Sequence, residues 1–230
     1  MDSKPSNPKW ETHCHTIYSN KSGFRTLDAL DPPDRIVRAA IQRGLRGIVV
    51  TDHDNVKGGL VARKLFHDPE RIIVIPGAEV STISGHILAL GIVENVPSGR
   101  TVEETVDHIH DLGGIAVASH PFSTSARSVG QKCLSADAVE VFNSTNKYTA
   151  NARAMHLAHT HNKPETAGSD AHWARGVGNA GIVCEDPIGD IPKGSVSTFG
   201  RYAGRLHLSY LMGMRVLKAY EQLFTRGASR

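Results

Sequence analysis

Gly47-Ile48-Val49-Val50-Thr51-Asp52-His53-Asp54 decides how this chain is read. A short β-branched run bounded by glycine reads as a buried strand, and the polar Thr-Asp-His-Asp stands where that strand leaves its sheet. Working outward, the same arrangement recurs. Upstream, Trp10 to His15 begins as a strand and carries His13 and His15 at its end. Downstream, Arg71 to Val80 is a strand with Glu79 near its end, and His86 opens another that runs to Ile92. Ser119-His120-Pro121 follows the strand from Ile115, and Gly168-Ser169-Asp170-Ala171-His172 follows Glu165 to Ala167. Ala138 to Phe142 and Gly181 to Val183 complete the strands.

Helical stretches separate these runs. Asp31-Pro32-Pro33 opens a helix with a capping residue and proline in its first turn; Ile36, Val37, Ala40 and Ile41 line one face, and Gly44 closes it. Val56 to His67 is a second helix. Thr101 caps a third that reaches Leu112, with Glu103 and Glu104 where the helix dipole favours acids. Tyr148 to His161 is a fourth, Pro187 to Ser197 reads as a loop, and a last helix spans about Arg205 to Phe224. Alternating β and α runs are the pattern of an α/β protein with a parallel sheet built from βα units. At 230 residues the chain has the length of a single α/β barrel, in which sites assemble at the strands' C-terminal rim.

Composition narrows the function classes. The longest aliphatic runs, such as Ile72 to Ile75, are far below the ~20 residues that span a bilayer, and Met1 to Lys9 is polar without an apolar signal core. The expectation is a cytoplasmic protein. Cys14, Cys133 and Cys184 are scattered and odd in number, which suits buried thiols rather than a disulfide framework or zinc knuckle. The net charge of +3 is uneven: from Ile191 onward Lys193, Arg201, Arg205, Arg215, Lys218, Arg226 and Arg230 face only Glu221. Such a basic segment suits either a solvated helix face or a nucleic-acid contact. The division expected is a barrel over 1–190 and a basic extension over 191–230 whose final helix packs on the barrel.

Histidine is the unusual residue, at 13 of 230. Chance alone supplies on the order of one His-x-His pair at that frequency, and the chain has three, so spacing by itself proves little. Local structure separates them. Side chains two apart share a face on a strand but not on a helix. His108/His110 and His159/His161 fall in helical segments and read as surface or packing residues; His13/His15 falls in a strand and can converge on one ion. Each later strand-end residue also has a structural reading: His53 as a helix cap, His120 as a turn-shaping residue before proline, Asp170 as an N-cap. Six polar strand-end positions in register favour a shared imidazole–carboxylate site of the kind that suits Zn, Mn or Fe.

The set His13-x-His15, Thr51-Asp52-His53, Gly77-Ala78-Glu79, Gly85-His86, His120-Pro121 and Gly168-Ser169-Asp170-x-His172 resembles the PHP family, the polymerase and histidinol phosphatase domain, from about Lys9 to Val183. Within that family the chain is similar to the small stand-alone phosphoesterases. The resemblance implies a distorted barrel of seven βα units, TIM-like in outline, and two or three divalent metal ions (Mn, Zn or Fe). It implies that His13, His15, Glu79 and Asp170 hold a first metal, that Glu79 bridges to a second completed by His86 and His120, and that His53 and His172 face a third. A metal-bound hydroxide held by Glu79 and Asp170 would then attack phosphorus in line. The family often has an acidic or histidine ligand a few residues after His-x-His; here Asn20 stands there, which lowers the expected occupancy of the third site, and an Asn20→Asp change is expected to raise it.

Arg127, after His120-Pro121, and Arg175, after His172, are the candidate phosphate binders, with Lys147 a weaker one; surface salt bridges are their structural alternative. Asp52 is expected to orient His53 or a metal water. The function expected is hydrolysis of a phosphorylated small molecule or nucleotide, as a mono- or diester. The rivals are a nuclease that tracks nucleic acid with the basic segment, a non-catalytic RNA- or protein-binding scaffold, against which the nearly complete ligand set argues, and an amidohydrolase-type enzyme, which would want a bridging lysine.

Overall fold

The computed structural model describes residues 8–20, 27–124, 126–204, 209, 211–214, 216 and 217. Its elements, in chain order, are β1 (Lys9–Glu11), α1 (Pro33–Gln42), β2 (Gly47–Val50), α2 (Lys57–Leu65), β3 (Ile73–Ser81), β4 (His86–Leu90), α3 (Val102–Asp111), β5 (Ile115–Ala118), β6 (Ala138–Asn143), α4 (Tyr148–Thr160), β7 (Glu165–Gly168), β8 (Ala180–Val183), α5 (Pro187–Asp190) and β9 (Ser197–Gly200). The wall order β7-β6-β5-β4-β3-β2-β1 keeps sequence neighbours adjacent in space. The first and last staves then close on each other beyond their regular ends. The Asp170 N–H donates to the His13 carbonyl and the His15 N–H to the Ala171 carbonyl, both at 2.8 Å. The result is the distorted α/β barrel expected.

The sheet is mixed rather than parallel throughout. β1, β2 and β3 run parallel, as do β5, β6 and β7, but β4 is antiparallel to both its neighbours. The reason is connection length. Only residues 82–85 join β3 to β4, and a parallel crossover needs a dozen or more. β8 also pairs antiparallel with β1 and carries β9 on its outer edge.

Alternation along the staves divides the apolar residues into layers. Trp10, Val49, Leu88, Leu90, Val117 and Ile182 fill the barrel. Ile48, Val50 and Val74 pack outward on the α1–α2 side, and Ile87, Ala89 and Val139 outward on the α3–α4 side. The α3 cap forms as read, with Thr101 and Glu104 each accepting from the other's backbone N–H. The α1 cap does not. Pro32 and Pro33 occupy the first positions and lack an N–H to cap, so the Asp31 carboxylate instead accepts the Ala174 N–H at 2.8 Å.

The stretch expected as a loop, Pro187 to Ser197, opens with α5, and β9 begins at its last residue. Ile191 is buried among the barrel-filling residues, with Ile188 and Val196 packed beside it. Residues 209, 211–214, 216 and 217 are helical, and Leu211 is buried against Leu30 and Trp173. The rest of the helix expected over 205–224, with Arg205, Arg215, Lys218, Arg226 and Arg230, lies outside the described residues. Among the described residues no helix is long and apolar enough to cross a membrane. All three cysteines are free and buried.

Candidate metal centre

The strand ends bring the polar residues to one rim, and the backbone is bent to aim two of them. His120 (φ +29°) and Asp170 (φ +52°) both adopt the left-handed region. Strain of this kind, on the order of 1–3 kcal/mol per residue, persists where the surroundings fix the conformation and the position serves a site. At His120 the fixing contact is its N–H, which donates to Glu140 Oε2 at 2.8 Å.

Hydrogen bonds set the imidazole tautomers. The His13 Nδ1 lies 2.9 Å from Glu140 Oε1, and a carboxylate only accepts, so Nδ1 carries the proton and Nε2 the lone pair. The Ser19 hydroxyl donates to Asp52 Oδ1 at 2.8 Å and therefore accepts from His15 Nδ1, 3.0 Å away. That leaves the His15 Nε2 lone pair facing the His13 Nε2 at 3.2 Å. Two such lone pairs repel unless a cation lies between them.

The neighbouring oxygens have the spacing of metal ligands. Glu79 Oε2 lies 3.5 Å from His13 Nε2 and 3.4 Å from His15 Nε2, and Asp170 Oδ1 lies 3.5 and 3.3 Å from the same atoms. A tetrahedral ion with bonds of ~2.0–2.1 Å requires ligand separations of about 3.3–3.4 Å. Five of the separations among these four atoms are close to that value. A single proton answers one of them, whereas a metal ion bound between the groups would answer several. Among the described residues, the buried Nδ1 atoms of His86 and His120 have no hydrogen-bond partner, a further sign of a site shaped for a group the protein does not itself supply.

Glu79 divides the cluster. Its Oε2 faces His13, His15 and His53, the last at 3.1 Å, while its Oε1 faces His120 at 2.9 Å and His86 at 3.3 Å and accepts from the Ser119 hydroxyl. That is the placement of a carboxylate shared between two ions. A further group forms from His15, Asp28, His53 and His172. The His172 Nδ1 donates to the Asp170 carbonyl at 2.9 Å, so its Nε2 lone pair points at Asp28 Oδ2, 3.2 Å away.

The charges agree with this geometry. Burial alone would raise the Glu79 carboxyl, but His53, His13, His86 and His120 hold it well below its usual range. Burial likewise opposes ionisation of Asp170, and His13, His15 and His172 overcome it. At His13 burial disfavours the cation, yet Glu140, Asp170 and Glu79 hold its pKa well above the ordinary imidazole value, so the metal-free ring takes a proton at Nε2 that a bound metal ion would displace. Burial, with His172 and His53 close by, pushes His15 down to about 3, so it is neutral and available as a donor. The pocket favours positive charge at its centre and lone pairs around it.

Comparison with known proteins agrees. A sequence-family profile described as PHP-associated matches residues 149–192, the stretch that carries Asp170 and His172. An uncharacterized protein of Methanocaldococcus jannaschii is 36% identical over 140 residues, which span 59% of this chain and 81% of the relative. The chain belongs to the PHP family. Among solved structures, a candidate metal-dependent phosphoesterase from Bifidobacterium adolescentis superposes with a TM-score of 0.64 at 18% identity, covering 84% of this chain and 98% of that one. A lesion-specific endonuclease from Pyrococcus furiosus superposes with a TM-score of 0.56 at 16% identity, over 80% of this chain and 54% of the endonuclease. Both share the PHP fold.

In this PHP chain the eight residues singled out as metal ligands, His13, His15, His53, Glu79, His86, His120, Asp170 and His172, gather at one rim. Two expectations change. Asn20 is not turned to the cluster: its Oδ1 accepts the N–H groups of Asp28 (2.6 Å) and Ala29 (3.0 Å), and its Nδ2 donates to the Ala29 carbonyl. It shapes the loop that presents Asp28, and Asp28 supplies the acid. Asp52 reaches His15 through Ser19 rather than orienting His53, and it also accepts from the Thr16 N–H and hydroxyl. Burial pushes its carboxyl up to about 6 despite those bonds. Arg127 and Arg175 are exposed on the rim loops; Arg127 donates to the Ile83 carbonyl and Arg175 lies over the Trp173 ring. Lys147 is exposed at the start of α4.

The helical histidines behave as read. His110 pairs with Asp137 and His159 with Glu165, and both histidines are exposed on their helices. Sequence reasoning passed over Glu140, a buried acid in the middle of an apolar strand, although that setting is itself the signal for a charge with a partner. It also passed over Asn143 and Thr145, whose side chains donate to Asp170 Oδ2 at 3.4 and 3.0 Å and leave Oδ1 for the cluster.

Proposed function

We propose that this protein is a metal-dependent phosphoesterase that hydrolyses a phosphorylated small molecule or nucleotide. The observation that carries the reading is the set of converging lone pairs on His13 and His15 beside Glu79 Oε2 and Asp170 Oδ1, with Glu79 shared toward His86 and His120. When bound, two or three divalent cations (Mn, Zn or Fe) would supply Lewis acidity, lower the pKa of a water and neutralise phosphoryl charge.

The chain's own groups do the rest. Glu140, Ser19 and the Asp170 carbonyl hold His13, His15 and His172 in the donor tautomer. Glu79 and Asp170 fix the position of the attacking water relative to phosphorus. Arg127 and Arg175, exposed on the loops after β5 and β7, would swing from their present contacts to meet the phosphate from the solvent side. The barrel over 1–190 carries this site, and the basic segment over 191–230 is an accessory to it. A nucleic-acid substrate is the second reading, favoured by that segment's charge and by the fold shared with an endonuclease.

The test is turnover of para-nitrophenyl phosphate and its bis ester by protein reloaded with each metal. His120→Ala and Asp170→Ala should abolish turnover while the protein stays folded. Full activity in both variants would remove the assignment. On oligonucleotides, activity that falls steeply with salt favours the nucleic-acid reading.

A further inference from the structure

Among the described residues, the segment after β9 reaches the ligand loops at Leu211. Leu211 is 7% exposed and packs with Leu30 and Trp173, with Met214 against the same group. Leu30 lies two residues after Asp28, and Trp173 directly follows His172. The two loops are already tied to each other, since the Leu30 N–H donates to the His172 carbonyl at 2.8 Å. We infer that Leu211 is a positioning residue: docked on Leu30 and Trp173, it sets how tightly the Asp28–His53–His172 group holds a cation. This rests on the metal-centre reading above.

The physical reason lies in where the ligands are anchored. Glu79 and His86 sit in paired strands, and His13 and His120 are fixed by Glu140. Asp28 and His172 stand in loops. Asn20 holds the Asp28 loop on one side, and the Leu30–Trp173–Leu211 contact holds both loops on the other. A cation there needs Asp28 Oδ2 and His172 Nε2 close together, at the 3.2 Å seen. Loosening the loops lowers the fraction of chains with that spacing, and apparent affinity falls by the same fraction. In the His13–His15–Asp170 group, Asp170 has anchors apart from this contact, its N–H on the His13 carbonyl and the Thr145 hydroxyl on its Oδ2.

The experiment is a Mn²⁺ titration of the full-length apo protein against a competing chromophoric chelator, with thermal unfolding of each variant alongside. Leu211→Ala should weaken one class of site about tenfold or more, the range seen when groups that support metal ligands are removed, and leave the others within about twofold. Leu211→Met, which keeps the volume, should restore it. Asp28→Asn should weaken the same class. The inference is overturned if Leu211→Ala binds Mn²⁺ like the wild type, if it weakens every class alike, or if Asp28→Asn affects a different class. Failure of the wild-type chain to bind Mn²⁺ at all would overturn the metal-centre reading, and this inference with it.

Discussion

Glu140→Gln is the change that tests the tautomer argument most directly. Glu140 is 1% exposed and meets three donors: the His13 Nδ1–H at its Oε1 (2.9 Å), and the His120 N–H (2.8 Å) and Asn143 amide (3.0 Å) at its Oε2. A carboxylate accepts from all three; glutamine cannot. With its oxygen toward His13, its NH₂ group faces two other donors at hydrogen-bond distance. With its NH₂ toward His13, the imidazole must move its proton to Nε2 and lose the lone pair that points into the cluster. Either arrangement leaves a buried donor unmatched, which costs about 1–3 kcal/mol. If that cost appears in metal binding, it corresponds to roughly 10- to 100-fold in affinity, since about 1.4 kcal/mol is tenfold. Chelator competition on wild type and Glu140→Gln measures it, with circular dichroism to confirm the fold. Metal affinity within about twofold of wild type in a folded variant would refute the claim that Glu140 sets the His13 tautomer.

Gly168→Ala should damage the same place by sterics, because a Cβ there would lie 2.3 Å from His13 Cβ and 2.6 Å from Glu140 Oε1. Overpacking of this kind costs about 1–3 kcal/mol, read as a lowered midpoint of urea unfolding together with weaker metal binding. Asn20→Asp should not add a bound cation, because an acid cannot donate to the Ala29 carbonyl as the Asn20 amide does. Metal counting by mass spectrometry that shows a gain would instead make position 20 a ligand. Chelation should lower Tm by about 5–10 °C for each metal removed, if each is bound near 100 times its Kd and the shift per kcal/mol is that of a chain this size. An unchanged Tm in a scan with and without EDTA would contradict it. Cys133 and Cys184 are buried, and burial pushes their thiols up to about 11 and about 12. Together with the fully buried Cys14, they should react with an alkylating reagent at pH 8 only after unfolding.

The barrel was readable because each stave is a short apolar run bounded by a polar strand end, as at Gly47 to Asp54. The reversal of β4 was readable only from the spacing between Ser81 and His86, which a strand-by-strand reading overlooks. The ligands on strands could be found because strand ends share a register. Asp28 could not, since loop positions carry no period and its placement comes from Asn20, Leu30 and Asp31 acting together. Glu140 falls between these cases. A lone acid in Ala138-Val139-Glu140-Val141-Phe142 marks a buried charge, but nothing local names His13, more than a hundred residues away, as its partner.

The inverted stave has one more consequence. Because β4 runs backwards, it delivers His86 from its first residue, directly opposite Ser81, which lies two residues beyond Glu79 on the partner stave. The distance between these two groups is therefore fixed by the tight turn at residues 82–85, where the Thr82 hydroxyl and the Gly85 carbonyl bind each other. Lengthening most rim loops leaves the spacing of the groups on their flanking staves intact. Adding or removing a single residue here shifts pairing by one step and turns His86 or Glu79 to the opposite side of the wall. That turn acts as a ruler for the site, and its length is the least negotiable in the barrel.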